Sequence, residues 1–142
     1  MQIVVFKVCG QEYGFSIEDV KEIVLMQKTT LLPNMPRYIE GITNLRGRII
    51  PVMDLTLKFN LGEQFSCENV GAEGRLIVLN ISEEKQVAIK ADEVSEILSA
   101  EEKEMEQPPE GLAAGVESAV WKVLKYEDRL IMVLDKTKVV AA

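Results

Sequence analysis

Apolar and polar residues along this chain alternate or run in short blocks, and few segments hold the 3.6-residue period over ten or more positions that a long helix needs. A mainly β fold with short helical turns follows. Residues 2–8 (QIVVFKV) predict a buried strand, Gly10 and Gln11 a turn, and residues 12–17 a second strand with Tyr13, Phe15 and Ile17 on one face at period 2. Residues 41–55 (GITNLRGRIIPVMDL) predict a hairpin, in which 42–45 and 49–53 fold about Arg46 and Gly47 and Gly47 supplies the positive φ. One arginine is thereby placed at a hairpin tip. Pro51 has no N–H for a ladder, so its strand is expected at a sheet edge or bulged there. Asp54 is placed to cap the turn that follows. On pattern alone this is an ordinary hairpin.

The first strands recur. Residues 75–98 repeat the beginning of the chain at an offset of 74, with Ile3 matching Ile77, Val4 Val78, Val20 Val94, Glu22 Glu96 and Ile23 Ile97. Val87, Ile89 and Ala91 take the places of Tyr13, Phe15 and Ile17. Chance similarity between β-rich segments could produce that much. A second match makes the repeat convincing, because RIIPVMD at 48–54 aligns with RLIMVLD at 129–135 at an offset of 81. A unit of some 75 residues is too long for a solenoid and suits a small five-stranded barrel, so two similar β-subdomains are expected. The copies differ at the tip: where one has Asn44-Leu45-Arg46-Gly47, the other has Lys125-Tyr126-Glu127-Asp128. Loops drift readily, but what one copy keeps and the other lacks is a candidate for function.

Between the strands, residues 29–38 carry two prolines and an Asn, with Pro36 placed to begin a short helix that Gly41 ends. Residues 63–74 lack apolar period and read as the connector between halves. Residues 100–115 are acidic and broken by Pro108 and Pro109; a solvated loop and a partner-docking loop are both compatible with that. Residues 118–124 resume the strand pattern, with Trp121 alternating with Val123 as a core residue or an exposed anchor.

Composition narrows the function. With 142 residues the chain suits one domain able to bury about two-thirds of its unfolded surface. Net charge is −7 with Lys and Arg scattered, which argues against nucleic acid and anionic membrane as partners. Histidine is absent, removing the commonest general acid–base and metal ligand. Cys9 and Cys67, 58 positions apart with no CxxC pair, suggest neither a disulfide framework nor a metal knuckle, and a reducing cytoplasm is expected. No N-terminal signal pattern is visible and the longest apolar runs fall well short of the roughly 18 residues a bilayer span needs, so a soluble, unprocessed chain is expected.

A search for chemistry is empty: no GxGxxG, GxxxxGK, GxSxG, HExxH or calcium-loop pattern occurs. Cys9 ends an apolar strand and reads as a core residue rather than a nucleophile, with no histidine to activate it. Glu18, Asp19 and Glu22 could form an acidic cluster serving an enzyme or a ligand-binding barrel. Acidic residues recur at Asp92, Glu93 and Glu96, however, which is more economically a property of the fold's surface. Val20 reads as core by default, yet it precedes Glu22 in a segment with few other reasons to be apolar.

Gly41, Asn44-Leu45-Arg46-Gly47, Pro51 and Asp54-Leu55 together resemble the signature of the CheW family of chemotaxis coupling proteins. The resemblance runs from residue 2 to about 138, supported by EYGFSIEDVKEIV and VAIKADEVSEIL. It implies two five-stranded, SH3-like β-barrels packed together in one CheW-like domain over 1–142, with subdomain 1 at about 1–70 and subdomain 2 at about 71–142. It implies an adaptor and not an enzyme, with no cofactor and no metal. The partners implied are the cytoplasmic hairpin tip of methyl-accepting chemotaxis receptors and the histidine kinase CheA, met through the kinase's own CheW-like regulatory domain. A cytoplasmic protein is implied, monomeric when free, not inserted in the membrane, and recruited to receptor arrays at its inner face. The receptor tip would lie in a groove between subdomains against Val20, Glu22 and Arg46, with Gly41 nearby and Glu22 placed to hold Arg46, while kinase contacts fall on barrel-end surfaces. The chain departs from many members by ending soon after Val139-Val140, which touches only contacts made by a longer tail. An alternative is a CheW-like module excised from a fused receiver protein or a kinase; the starting methionine just before the first strand favours an independent gene product.

Overall fold

Two-residue turns set the strand pairing in this computed structural model, which describes residues 1–59, 74–111, 116 and 118–140. β1 (Gln2–Val8) and β2 (Gln11–Ser16) pair antiparallel across Cys9 and Gly10, whose φ angles of 53° and 76° are those of a type I′ turn. The turn thus comes one residue earlier than Gly10-Gln11. After a 3₁₀ turn at Ile17–Asp19 come β3 (Val20–Leu25), β4 (Ile39–Leu45) and β5 (Arg48–Asp54), then the short helix α1 (Leu55–Lys58). The second half contributes β6 (Arg75–Asn80), β7 (Gln86–Ala91), β8 (Glu93–Ser99), the two-residue β9 (Met105–Glu106), β10 (Val120–Tyr126), β11 (Arg129–Leu134) and α2 (Lys136–Val140). The connector expected over 63–74, with Cys67, lies outside the described residues apart from Gly74. So do residues 112–115 of the acidic loop. Among the described residues no helix is long and apolar enough to cross a membrane.

The strands form two sheets, ordered β8-β1-β2-β11-β10-β9 and β3-β6-β7-β5-β4. The repeat is visible in both. Offsets of 74 and 81 carry β8, β1, β2, β11 and β10 onto β3, β6, β7, β5 and β4 in the same order. The parallel pair Val133↔Gly14 thereby becomes Val52↔Ala88, and the register shift at Val120/Lys122 becomes the one at Ile39/Gly41. Even β9 has a counterpart in the lone bridge between Thr30 and Ile42. Each sheet nevertheless takes its first hairpin from the opposite half of the chain: β1 and β2 join β8, β10 and β11, while β6 and β7 join β3, β4 and β5. The division at about residue 70 therefore separates the sequence repeats, and the sheets interleave across it.

This exchange explains why β1 and β6 are apolar on both faces. Ile3 and Val5 join Leu124, Ile131 and Val133 in a core enclosed by the first sheet, and Leu76 and Val78 join Ile50, Val52 and Ala88 in its equivalent in the second. The opposite faces meet in a third core, where Phe6, Tyr13 and Phe15 pack with Met53, Ile77, Leu79 and Ile89. Ile17 is not part of it, because the chain enters the 3₁₀ turn there and leaves it half-buried. Trp121 and Val123 do not share a face either; the register shift at Val120/Lys122 sends Val123 to the shared core and Trp121, half-buried, to the first sheet's own.

Pro51 is accommodated differently from expectation. Its strand β5 is internal, between β7 and β4. Counting alternately from the closing pair Leu45↔Arg48 makes Ile42↔Pro51 a non-hydrogen-bonded pair, and the ladder to β7 starts only at Val52, so no donor is missed. Asp54 caps α1 as expected, its Oδ1 accepting from Thr56 N at 2.8 Å, and Asp135 repeats this at α2 with Thr137 N at 2.9 Å. Cys9 is buried as expected but is disulfide-bonded, against the expectation drawn from cysteine spacing. Bridging depends on separation in the fold, which spacing along the chain does not report.

Candidate functional site

The β4–β5 hairpin ends in a type I′ turn in which both tip residues are left-handed, Arg46 at φ 53° and Gly47 at φ 83°. Gly47 carries no side-chain penalty, whereas Arg46 takes a conformation that disfavours L side chains. The turn is held by Asn44, whose Oδ1 accepts from Gly47 N at 3.0 Å. Leu45 packs inward on the second sheet's core, so the neighbouring Arg46 is free to reach over the end of the sheet. Its side chain is 73 % exposed, yet its Nη1 donates to Glu22 Oε2 at 3.0 Å.

Glu22 approaches from β3. A register shift at Val20/Glu22 places Glu22 opposite Val78 on the inner face, so its side chain is only 17 % exposed. Oε1 lies 2.9 Å from the same arginine nitrogen but out of line for its N–H, and is left buried without a hydrogen bond among the described residues. The guanidinium therefore neutralises the carboxylate while keeping most of its own donors outward. Val20 begins the same strand half-buried, packed partly on the shared core. Of the four sequence candidates the structure thus joins Glu22 to Arg46 and sets Val20 on the strand beside them.

Gly41 does something else. It is buried, and a Cβ there would sit 2.6 Å from the carbonyl oxygen of Thr30. The missing side chain lets residues 29–30 lie against β4, where Thr30 N donates to Ile42 O at 2.8 Å and Ile42 N to Thr30 O at 2.9 Å. Its place is in the support of the hairpin.

The acidic cluster does not assemble. Glu22 turns to Arg46, Asp19 faces Lys136 Nζ at 3.6 Å, and Glu18 is exposed. Among the described residues no group of acidic, Cys or His side chains could hold a metal. The first sheet shows how the other copy treats the same positions. Glu96, the repeat mate of Glu22, meets Arg129 Nη2 at 2.6 Å, and Arg129 also donates from Nη2 to Glu12 Oε1 at 2.6 Å and from Nε to Oε2 at 3.1 Å. That hydrogen bonding holds the Glu12 carboxyl below the usual carboxylate range despite partial burial, and holds Arg129 protonated. The tip of this copy, Glu127-Asp128, carries negative charge in place of the arginine. The turn-holding bond of Asn44 and the Glu12–Arg129–Glu96 triad escaped the sequence reading, although alignment of Glu22 with Glu96 already singled out one member of the triad.

A family model described as "CheW-like domain" matches residues 2–142. The chain is 33 % identical over 138 residues to the "Chemotaxis protein CheW" of Bacillus subtilis, covering 97 % of this chain and 85 % of that protein. It is 30 % identical over 142 residues to the protein of the same name from Klebsiella aerogenes, covering 99 % and 82 %. The crystal structure of the scaffolding protein TtCheW from Thermoanaerobacter tengcongensis superposes with a TM-score of 0.88 at 30 % identity, covering 99 % of this chain and 88 % of that one.

Proposed function

This chain belongs to the CheW-like family, and from that premise we propose that it couples the cytoplasmic tips of methyl-accepting chemotaxis receptors to the histidine kinase CheA. It is a scaffold in chemotaxis and not an enzyme, in keeping with relatives named as chemotaxis and scaffolding proteins. The finer assignment rests on one observation above all. An exposed arginine stands at a rigid hairpin tip, anchored at one nitrogen by Glu22 and otherwise presenting a planar fork of donors. Such a group suits backbone or side-chain acceptors on a receptor helix, with Val20 as an apolar neighbour and Gly41 as support. Kinase docking is supported by apolar side chains that folding leaves outside: Ile49 and its repeat mate Leu130 are each 64 % exposed. The protein would act in the cytoplasm, monomeric when free, and gather at receptor arrays on the inner face of the membrane. A pull-down against CheA's regulatory domain and a receptor tip fragment tests this, with binding to both expected; binding to neither contradicts it.

A further inference from the structure

We propose that Lys21 and Arg48 form a carboxylate-binding pair that receives an acidic side chain of the receptor helix docking on the Arg46 tip. This rests on the receptor reading above. The internal repeat supplies the template. In the first sheet, Arg129 on β11 is held by Glu12 of β2 and Glu96 of β8, so one guanidinium answers both carboxylates within the chain. In the second sheet the offsets put Arg48 in the place of Arg129, Glu22 in that of Glu96 and Gln86 in that of Glu12, on the equivalent strands. Both contacts are changed. Glu22 is taken by Arg46 from the tip, and the carboxylate of Glu12 is replaced by a neutral amide.

Gln86 is 8 % exposed, and with its amide turned so that the oxygen faces donors, that oxygen accepts from Lys21 Nζ at 2.9 Å and Arg48 Nη1 at 3.2 Å, with Asn80 Oδ1 also at 3.2 Å. Among the described residues neither Lys21 nor Arg48 is in an ion pair, and both are exposed. An amide oxygen can accept two hydrogen bonds but cancels no charge. Two cations therefore converge where the sister copy holds a carboxylate. Lys21 precedes Glu22 and Arg48 follows Gly47, so the pair is continuous with the Arg46–Glu22 site. The exposure of both cations and this continuity make the occupant an acidic side chain of the same docking helix.

The test supplies that carboxylate from within. Gln86→Glu rebuilds the sister arrangement, closing the pair on the chain's own side chain. Binding of a receptor tip fragment is titrated at low salt to wild type, Gln86→Glu and Arg48→Gln, and then repeated with the fragment's Glu and Asp residues changed singly to Gln and Asn. Both variants are expected to weaken binding about two- to fivefold, the range of a solvated ion pair, with the melting temperature of Gln86→Glu not lowered. One amide substitution on the fragment should weaken binding to wild type and be neutral in the Gln86→Glu background. Unchanged affinity in both variants, or weakened binding to CheA's regulatory domain alone, overturns the pair and leaves the Arg46 site standing. A fragment that fails to bind wild type overturns both.

Discussion

Arg46 and Glu22 lie 24 residues apart in the chain and meet through a single guanidinium nitrogen, Nη1, 3.0 Å from Oε2 and 2.9 Å from Oε1 of the carboxylate. One partner is 73 % exposed and the other 17 %, so the pair is anchored from below and open above. An ion pair of this exposure contributes about 0.2–1 kcal/mol. It positions the tip more than it stabilises the fold.

That balance can be measured with Arg46→Asn. Asparagine suits the left-handed position at φ 53° and relieves about 1 kcal/mol of backbone cost, while loss of the ion pair offsets about 0.2–1 kcal/mol of it. The urea midpoint should shift by an amount equivalent to less than about 1 kcal/mol. A loss above about 2 kcal/mol would make the arginine a structural residue.

Gly41→Ala should behave in the opposite way. The added Cβ would come 2.6 Å from a backbone oxygen of Thr30, which cannot swing aside as a side chain can. A destabilisation of about 1–3 kcal/mol is expected, and thermal unfolding reads it directly. If stability is unchanged and only receptor binding falls, Gly41 belongs to the contact surface itself.

Tyr13 provides an alkaline signature of the shared core. It is fully buried, its hydroxyl has no hydrogen-bond partner among the described residues, and burial pushes its pKa from 10.0 up to about 12. The unfolded chain ionises first, so stability fully present below pH 10 declines as pH rises toward 12, at up to about 1.4 kcal/mol per pH unit. Tyr13→Phe should remove this part of the slope and cost little at neutral pH, because no hydrogen bond is lost. Comparison of urea midpoints at pH 9 and pH 11 checks it; equal losses in both proteins would contradict the assignment.

The hairpins were legible in the sequence because short apolar blocks and a Gly-containing reversal leave a chain few alternatives, and the Arg46 tip came with them. Asp54 was legible for the same local reason. The interleaving was not, since a repeat reports the order of strands and is silent on which copy's hairpin each sheet receives. The Glu22–Arg46 pair was expected; what stayed hidden was the Glu12–Arg129–Glu96 triad, whose members meet only once β2, β8 and β11 share one sheet. Pro51 misled because its missing donor was weighed against the whole strand, when only the alternation at that pair mattered. Positive φ was expected at Gly47 alone, whereas a type I′ turn requires it of Arg46 as well.

The central claim is that Arg46 is a receptor contact held out by the fold and dispensable to it, and the most direct measurement is the affinity of Arg46→Glu for a receptor tip fragment and for CheA's regulatory domain, side by side. Receptor binding should fall about tenfold or more, and by less in Arg46→Lys. Kinase affinity and melting temperature should stay at wild-type values, and adding Glu22→Lys should restore part of the receptor affinity. An Arg46→Glu protein that unfolds, or that loses the kinase while keeping the receptor fragment, contradicts the account.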